Sequence, residues 1–193
     1  MPLHIRQIGR AQLTSGQLSD IRELLVRSYT EYKGAYPDPA VWENYLREIR
    51  SAVDHPHIDG WIIAEQDRTM VGSVMIFRGS DRAYNRPELG IEHPIIRFLA
   101  VDPAARGRRI GQRLVEASLD YAARQGDAYL VLHTSDKMRS AIRLYERMGF
   151  SRAEQYDFHV GDTHVKSYCK PVHSNPRSKG KLNDRSEGFS LSI

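Results

Sequence analysis

The sequence predicts a mixed α/β (α+β) domain: a mostly antiparallel sheet of about six or seven (6–7) strands with helices on both faces. Three patterns lead there. The segments 61–77 and 150–170 each hold two strand-like runs parted by a short polar turn, so each reads as a β-hairpin. From Ile95 to His133 the pattern is strand, helix, strand, a crossover that makes those two strands parallel neighbours. Three further segments repeat apolar residues at helical spacing and supply the covering layers.

Taken in order, Leu3 to Ile8 alternates weakly and can form a first strand. Thr14-Ser15-Gly16 is a helix-start signal, and Leu18, Ile21, Leu24, Leu25, Ser28 and Tyr29 then recur on one helical face. Gly34 and Pro37-Asp38-Pro39 break that helix. A second follows, with Val41, Tyr45, Leu46 and Ile49 expected inward and Glu43, Arg47 and Glu48 outward. His55-Pro56-His57 reads as a proline-locked loop with two solvated histidines, since no third ligand stands at a spacing that would close a zinc site. The remaining histidines, at 4, 93, 133, 159, 164 and 173, are scattered, and no metal site is expected.

Trp61 to Glu65 and Met70 to Phe77 form the first hairpin, with Gly72 marking a bulge or a close approach of another backbone. Arg78 to His93 is a long polar link, and its far end is expected near the site. Ile95 to Val101 is almost wholly apolar and reads as a buried central strand, stopped by Asp102-Pro103. A helix from about Arg108 to Gln125 follows. Its inner stripe is Ile110, Leu114, Ala117 and Tyr121, flanked by Val115, Ser118 and Ala122, and Gly126 caps it. Ala128 to His133 is the next strand and Ser140 to Met148 a short helix. Strands Phe150–His159 and His164–Lys170 close the chain around a turn at 160–163.

The totals set the class. A chain of 193 residues, 40% hydrophobic and 27% charged, suits one ordinary domain, expected over 1–170, with the polar stretch 171–193 expected to be a disordered tail. No apolar run reaches the ~20 residues of a membrane helix, and MPLHIRQIGR lacks the pattern of a signal peptide, so no membrane partner is expected. A single cysteine, Cys169, rules out an internal disulfide framework, and the cytoplasm is the expected compartment. The net charge of +4 is mild, and the arginines form no basic stripe interleaved with aromatics, which argues against a nucleic-acid partner. Oligomeric state, monomer or homodimer, is not legible.

The chemistry concentrates in Arg106-Gly107-Arg108-Arg109-Ile110-Gly111, the turn between the central strand and its helix. A strand, a glycine-containing turn and a helix start converge free backbone N–H groups and the positive helix end on one point. Phosphate or pyrophosphate suits such a point, and the arginines add charge.

These residues resemble motif A of the GCN5-related N-acetyltransferases (GNAT), whose signature Arg/Gln-x-x-Gly-x-Gly/Ala holds the pyrophosphate of acetyl-coenzyme A. Farther on, Ser140-Ala141-Ile142-Arg143-Leu144-Tyr145-Glu146-Arg147-Met148-Gly149-Phe150 resembles motif B of the same family, A-x-x-L-Y-x-x-x-G-F. Two motifs in the right order are far more specific than either alone. The resemblance spans roughly residues 3–170. It implies a central βαβ acyl-coenzyme A site, acetyl-coenzyme A as co-substrate, no metal, and transfer to an amine acceptor by direct attack in a ternary complex. It places the pantetheine arm along the backbone of Leu99, Ala100 and Val101, the pyrophosphate on residues 106–111, and a slot between the central strand and 128–133. Tyr145 would be the acid that protonates the departing thiolate, as a phenol with pKa near 10 can.

Three positions depart from the family pattern. Arg109 stands where motif A has its first glycine. Met138 stands where motif B often has an asparagine for the cofactor arm, so Ser140 is the candidate replacement. Ile95 stands where several relatives carry a catalytic carboxylate, so Glu92 and His93 just upstream are the candidate bases, with water and backbone carbonyls as the other route. An oxyanion would meet a backbone N–H near Leu99. Cys169 suits a buried inert thiol better than a nucleophile. Three rivals stand beside the acetyltransferase reading: a coenzyme A-binding protein without turnover, a transferase of longer acyl groups, and a nucleic-acid module.

Overall fold

The computed structural model describes residues 2–172, so most of the expected tail, and His173, lie outside the described residues. One eight-stranded sheet organises them: β1 (His4–Ile8), β2 (Gly60–Gln66), β3 (Thr69–Arg78), β4 (Pro94–Val101), β5 (Tyr129–Thr134), β6 (Ser151–Arg152), β7 (Phe158–Val160) and β8 (Thr163–Pro171). The strands lie in the order β1-β2-β3-β4-β5-β8-β6, and β7 pairs with β8. Every pairing is antiparallel except β4 with β5, the expected crossover. The helices are α1 (Ser15–Tyr29), α2 (Pro39–Ser51), α3 (Gly79–Tyr84), α4 (Ile110–Gln125) and α5 (Arg139–Arg147).

Local chemistry explains where the elements depart from expectation. The strand expected over 150–159 is cut into β6 and β7 by a single 3-10 turn, Glu154–Tyr156. Asp157 causes the break. Its carboxylate accepts from the Arg152 guanidinium at 2.7 Å and from the Ser167 backbone N–H at 2.7 Å, taking a place that a backbone carbonyl would hold in a ladder. In α2 the inward residues are Trp42, Leu46 and Ile49, and Val41 is 47% exposed, which corrects its expected inward position. Starting on Pro39 with Asp38 as N-cap sets the phase that turns Val41 out. The link 78–93 folds back on itself. Gly79 N–H donates to His93 O and Ser80 N–H to Ile91 O, and α3 fills the loop. Gly79 has φ +77°, and a Cβ there would lie 2.7 Å from Ile91 O, so only glycine suits.

The sheet separates two cores, and alternation along the strands feeds both. Ile63, Met75, Phe77, Ile95 and Val131 face α1 and α2, packing with Ile21, Leu24, Leu25 and Ile49. Ile62, Val74, Ile76, Ile96 and Leu132 face α4 and α5, packing with Ile110, Leu114, Val115 and Tyr145. Gly72 stands at a slip in register, where the partners run Ala64 to Gly72 and then Glu65 to Met70, so the expected bulge is there. A Cβ at Gly72 would also lie 2.9 Å from Ile110 Cγ2 and 2.9 Å from Leu114 Cδ1, so its absence lets the side chains of α4 rest on β3.

In β4 the alternation slips. The partners run Met75 to Arg97 and then Ser73 to Ala100, which leaves one extra residue on β4, and Phe98 has φ +54°. This is a β-bulge. Before it, Ile95 serves the α1/α2 core and Ile96 the α4 core. After it, Phe98 and Ala100 serve the α1/α2 core, while Leu99 and Val101 join the α4 side.

Candidate active site

β4 and β5 pair only at Ile95–Val131 and Ile96–Leu132. From the bulge onward β4 has no strand partner on its β5 side, which opens the expected slot. A cleft of about 410 Å³ runs down it, from the turn before α4, past Phe98, Leu99 and Val101, to Ser140, Leu144 and Tyr145 of α5. Ala100 lies in the same strand, but its side chain is buried on the opposite face. Val101 N–H donates to Ser28 Oγ at 3.3 Å, so α1 touches the slot from above.

The turn at 106–111 is shaped by its backbone. Asp102 Oδ1 accepts from Ala104 N–H at 2.9 Å and stops β4. Gly107 then takes φ +79° and Arg109 φ +57°, after which α4 begins at Ile110. Arg109 therefore holds, with a side chain, the left-handed conformation that glycine adopts freely, at a cost of about 1–2 kcal/mol. Gly111 keeps the helix start open: a Cβ there would touch Leu144 Cδ2 at 3.4 Å. Leu144 of α5 therefore lies directly over the start of α4.

The three arginines of the turn separate in role. Arg106 Nη1 pairs with Glu31 Oε2 at 2.6 Å and its Nη2 donates to Ser28 O, which ties the turn to the end of α1. The Arg108 guanidinium points away from the cleft and donates to Gln66 Oε1 at 3.1 Å, so of this residue only the backbone faces the site expected for a diphosphate. Arg109 lines the cleft and has no ion pair among the described residues. A diphosphate fits here: backbone amides of the turn, the N-terminal end of α4 and one uncommitted guanidinium would hold it.

Tyr145 is 6% exposed, with its ring 5.9 Å from that of Phe150. Burial, with Tyr32 and Tyr84 nearby, pushes its phenol well above the usual range, so it carries its proton throughout physiological pH. Ser140 Oγ lies 3.4 Å from the Tyr32 hydroxyl, and Met138 lines the cleft beside it with no hydrogen bond to offer a cofactor amide.

Neither candidate base reaches this place. Glu92 is exposed, and the His93 ring lies tilted against that of Tyr129 with ring centres 5.4 Å apart, at the opposite end of β4. The cause is the fold-back of 78–93, which ties residues 91 and 93 to the start of α3. What the link does deliver is Tyr84, at the end of α3. Its hydroxyl lies 2.9 Å from His133 Nδ1, and His133 Nε2 lies 3.3 Å from Tyr156 O. A carbonyl only accepts, so Nε2 carries the hydrogen and Nδ1 accepts from the phenol. Burial, opposed by the Tyr156 hydrogen bond, lowers His133 to about 4, and burial raises Tyr84 to about 12.

His133 borders both the cleft and a second cavity of about 390 Å³ on the α2 side, where Tyr29, Tyr36, Tyr45, Tyr84, Phe98 and Phe158 form the wall. Tyr84, His133, Arg97 and Phe98 belong to no motif legible in the sequence. The one available signal was that His133 ends a strand parallel to the central one, where ligands of such sheets collect. Cys169 is half-buried, with its thiol pushed up by burial. Among the described residues no group of three or more His, Cys, Asp or Glu side chains is placed to hold a metal, and no helix is long and apolar enough to cross a membrane.

Comparison with known proteins agrees with this fold. The family model described as "Acetyltransferase (GNAT) family" matches residues 18–150. Human N-acetyltransferase 8B is 35% identical over 120 residues, 62% of this chain and 47% of that protein. Mycothiol acetyltransferase of Sanguibacter keddieii is 32% identical over 108 residues, 55% of this chain and 33% of that protein. The chain spans about half the length of the curated relatives it matches. The fold is shared with PaiA N-acetyltransferase from Thermoplasma acidophilum, solved in complex with coenzyme A, at TM-score 0.61, 15% identity, covering 86% of this chain and 98% of that one. It is shared also with the ribosomal-protein-S18-alanine N-acetyltransferase of Escherichia coli, at TM-score 0.58, 17% identity, covering 91% and 98%.

Proposed function

The chain belongs to the acetyltransferase (GNAT) family, and from that premise we propose that it moves an acetyl group from acetyl-coenzyme A to a primary amine by direct attack in a ternary complex. One observation carries the reading: the parting of β4 from β5 beside the turn at 106–111, with the protonated phenol of Tyr145 in the same cleft. The turn takes the diphosphate. The freed edge of β4 pairs with the amides of the pantetheine arm, as an added strand would. The thioester then lies at the bulge, where a backbone N–H near Leu99 meets the oxygen that becomes negative on attack.

The proton balance assigns the remaining roles. The amine arrives as an ammonium and gives up one proton before it can attack. With Tyr84 O–H directed at His133 Nδ1, the phenol oxygen keeps acceptor capacity toward the amine, directly or through water, and the proton leaves to solvent. The nitrogen attacks the carbonyl carbon, the C–N bond forms and the C–S bond breaks. Tyr145 gives its proton to the sulfur, and the second nitrogen proton restores the phenol.

Calorimetric titration with acetyl-coenzyme A, followed by thiol release over a panel of amines, tests the proposal. Binding with amine-dependent release supports it. Binding without release from any amine would favour a protein that holds coenzyme A without turnover, and no binding would contradict the site itself.

A further inference from the structure

The bulge in β4 has an effect beyond the slot. Because Phe98 takes a left-handed φ, Arg97 and Phe98 turn successive side chains to one face of the sheet, the face that carries the aromatic cavity. Arg97 enters an apolar core there. Its guanidinium stacks 4.4 Å over Tyr84 and 4.7 Å over Phe98, and it donates to Ala83 O. No carboxylate pairs with it among the described residues, although a guanidinium carries five donors. Lys137 lines the same cavity from the other side, with Nζ 4.2 Å over the Tyr36 ring and a hydrogen bond to Thr163 Oγ1 at 3.2 Å, again with no carboxylate. The acidic side chain at this cavity among the described residues is Glu48, exposed on α2.

Two cations held by rings and neutral oxygens rather than by acids leave a half-buried cavity with unmatched positive charge. A simple amine, itself cationic, is repelled by such a wall. An amine with its own anion is not. The Arg97 guanidinium lies 4.4 Å over the ring of Tyr84, whose hydroxyl meets His133 at the border of the cleft. An anion held by Arg97 therefore sits close to the place proposed for the amine.

Resting on the acetyltransferase reading above, we infer that the acceptor is an α-amino acid with an apolar or aromatic side chain. Its carboxylate is held by Arg97 with support from Lys137, and its side chain lies among Tyr29, Tyr36, Tyr45 and Phe158. The α-amine is two bonds from the carboxylate carbon, which suits a guanidinium beside the reaction point. A forked guanidinium meets a carboxylate through two hydrogen bonds. Arg97 is thus a specificity residue and takes no proton in the reaction.

Matched pairs that differ only in the carboxylate test this: phenylalanine against 2-phenylethylamine, tyrosine against tyramine, and leucine against 3-methylbutylamine. With acetyl-coenzyme A saturating, the amino acid of each pair should be favoured by at least about tenfold in kcat/KM, a typical worth for one desolvated charged hydrogen bond. Arg97→Gln should bring the pair to within about threefold while leaving the dissociation constant of acetyl-coenzyme A unchanged. Lys137→Gln, at the cavity rim, should cut the preference in part, and it serves where Arg97→Gln fails to fold. A measurement independent of turnover is the affinity of N-acetylphenylalanine against N-(2-phenylethyl)acetamide for the protein loaded with coenzyme A, where the acid should bind at least about tenfold tighter. Equal use of both members of each pair, preference for the plain amines, or equal affinity of the two acetylated compounds overturns the inference and leaves the acetyltransferase reading standing. Failure to bind acetyl-coenzyme A would overturn both.

Discussion

Tyr84 and His133 share a hydrogen bond of 2.9 Å between the end of α3 and the end of β5, 49 residues apart in sequence. The bond joins the folded-back link 78–93 to the parallel strand beside the cleft. Burial keeps His133 neutral, and with Nε2 donating to Tyr156 O its Nδ1 accepts from the phenol.

That neutrality has a consequence for stability against pH. Burial lowers His133 to about 4 in the folded chain, whereas an unfolded histidine titrates near 6.5. Between those values the unfolded chain holds the extra proton, so stability is full above about pH 6.5 and falls as pH drops toward 4. The loss is on the order of 2–3 kcal/mol at the acid end. Urea unfolding at pH 7 and pH 4.5 should show the drop in the native chain and a smaller one in His133→Gln. Equal drops in both would deny His133 that role.

Tyr145→Phe should lower turnover by about 10²-fold and leave the dissociation constant of acetyl-coenzyme A within about twofold. The ring contact with Phe150 survives the change, so the thermal midpoint should stay nearly constant. Undiminished turnover would remove the phenol from the reaction.

Arg109→Gly separates backbone from charge. Glycine adopts φ +57° without strain, so stability should be unchanged or rise by up to about 1 kcal/mol. The guanidinium is lost, so coenzyme A should bind more weakly, and dephospho-coenzyme A and pantetheine compared in the same titration locate the phosphate it touches. Affinity that rises for coenzyme A would mean that Arg109 obstructs the turn.

At Gly107 a Cβ would meet nothing within 4 Å, yet φ is +79°, so any side chain is strained there without a clash. Gly107→Ala measures the strain alone. Gly107→Glu adds a negative charge beside the proposed diphosphate and should weaken coenzyme A binding at least about tenfold beyond the alanine variant. Equal affinities of the two variants would place the diphosphate elsewhere.

Much of this molecule is legible in the chain itself. The crossover from Ile95 to His133 and the bulge at Gly72 follow from periodicity and from a glycine inside a strand, and so does the inward face of α4, although its buried centre runs through Val115, Ser118 and Ala122 while Ala117 and Tyr121 lie only partly buried at its edge. The bulge at Phe98 does not, because Ile-Ile-Arg-Phe-Leu reads equally well as an unbroken buried strand. Its evidence is a positive φ and a slipped register, properties of pairing rather than of composition. For the same reason Arg97 passes in sequence for an isolated charge on a strand. Glu92 and His93 look close to the site by chain position, but the turn at Gly79 carries them to the wrong end of β4 and delivers Tyr84 instead. Arg109 reads as a departure from a glycine motif, and its backbone takes the left-handed conformation that glycine adopts freely.

The most direct test is a crystal structure with coenzyme A bound. The expected result has the diphosphate on the backbone amides of 106–111, the pantetheine arm along β4 after the bulge, and the sulfur within hydrogen-bond reach of the Tyr145 hydroxyl. A diphosphate bound away from that turn, or a sulfur remote from Tyr145, would contradict it.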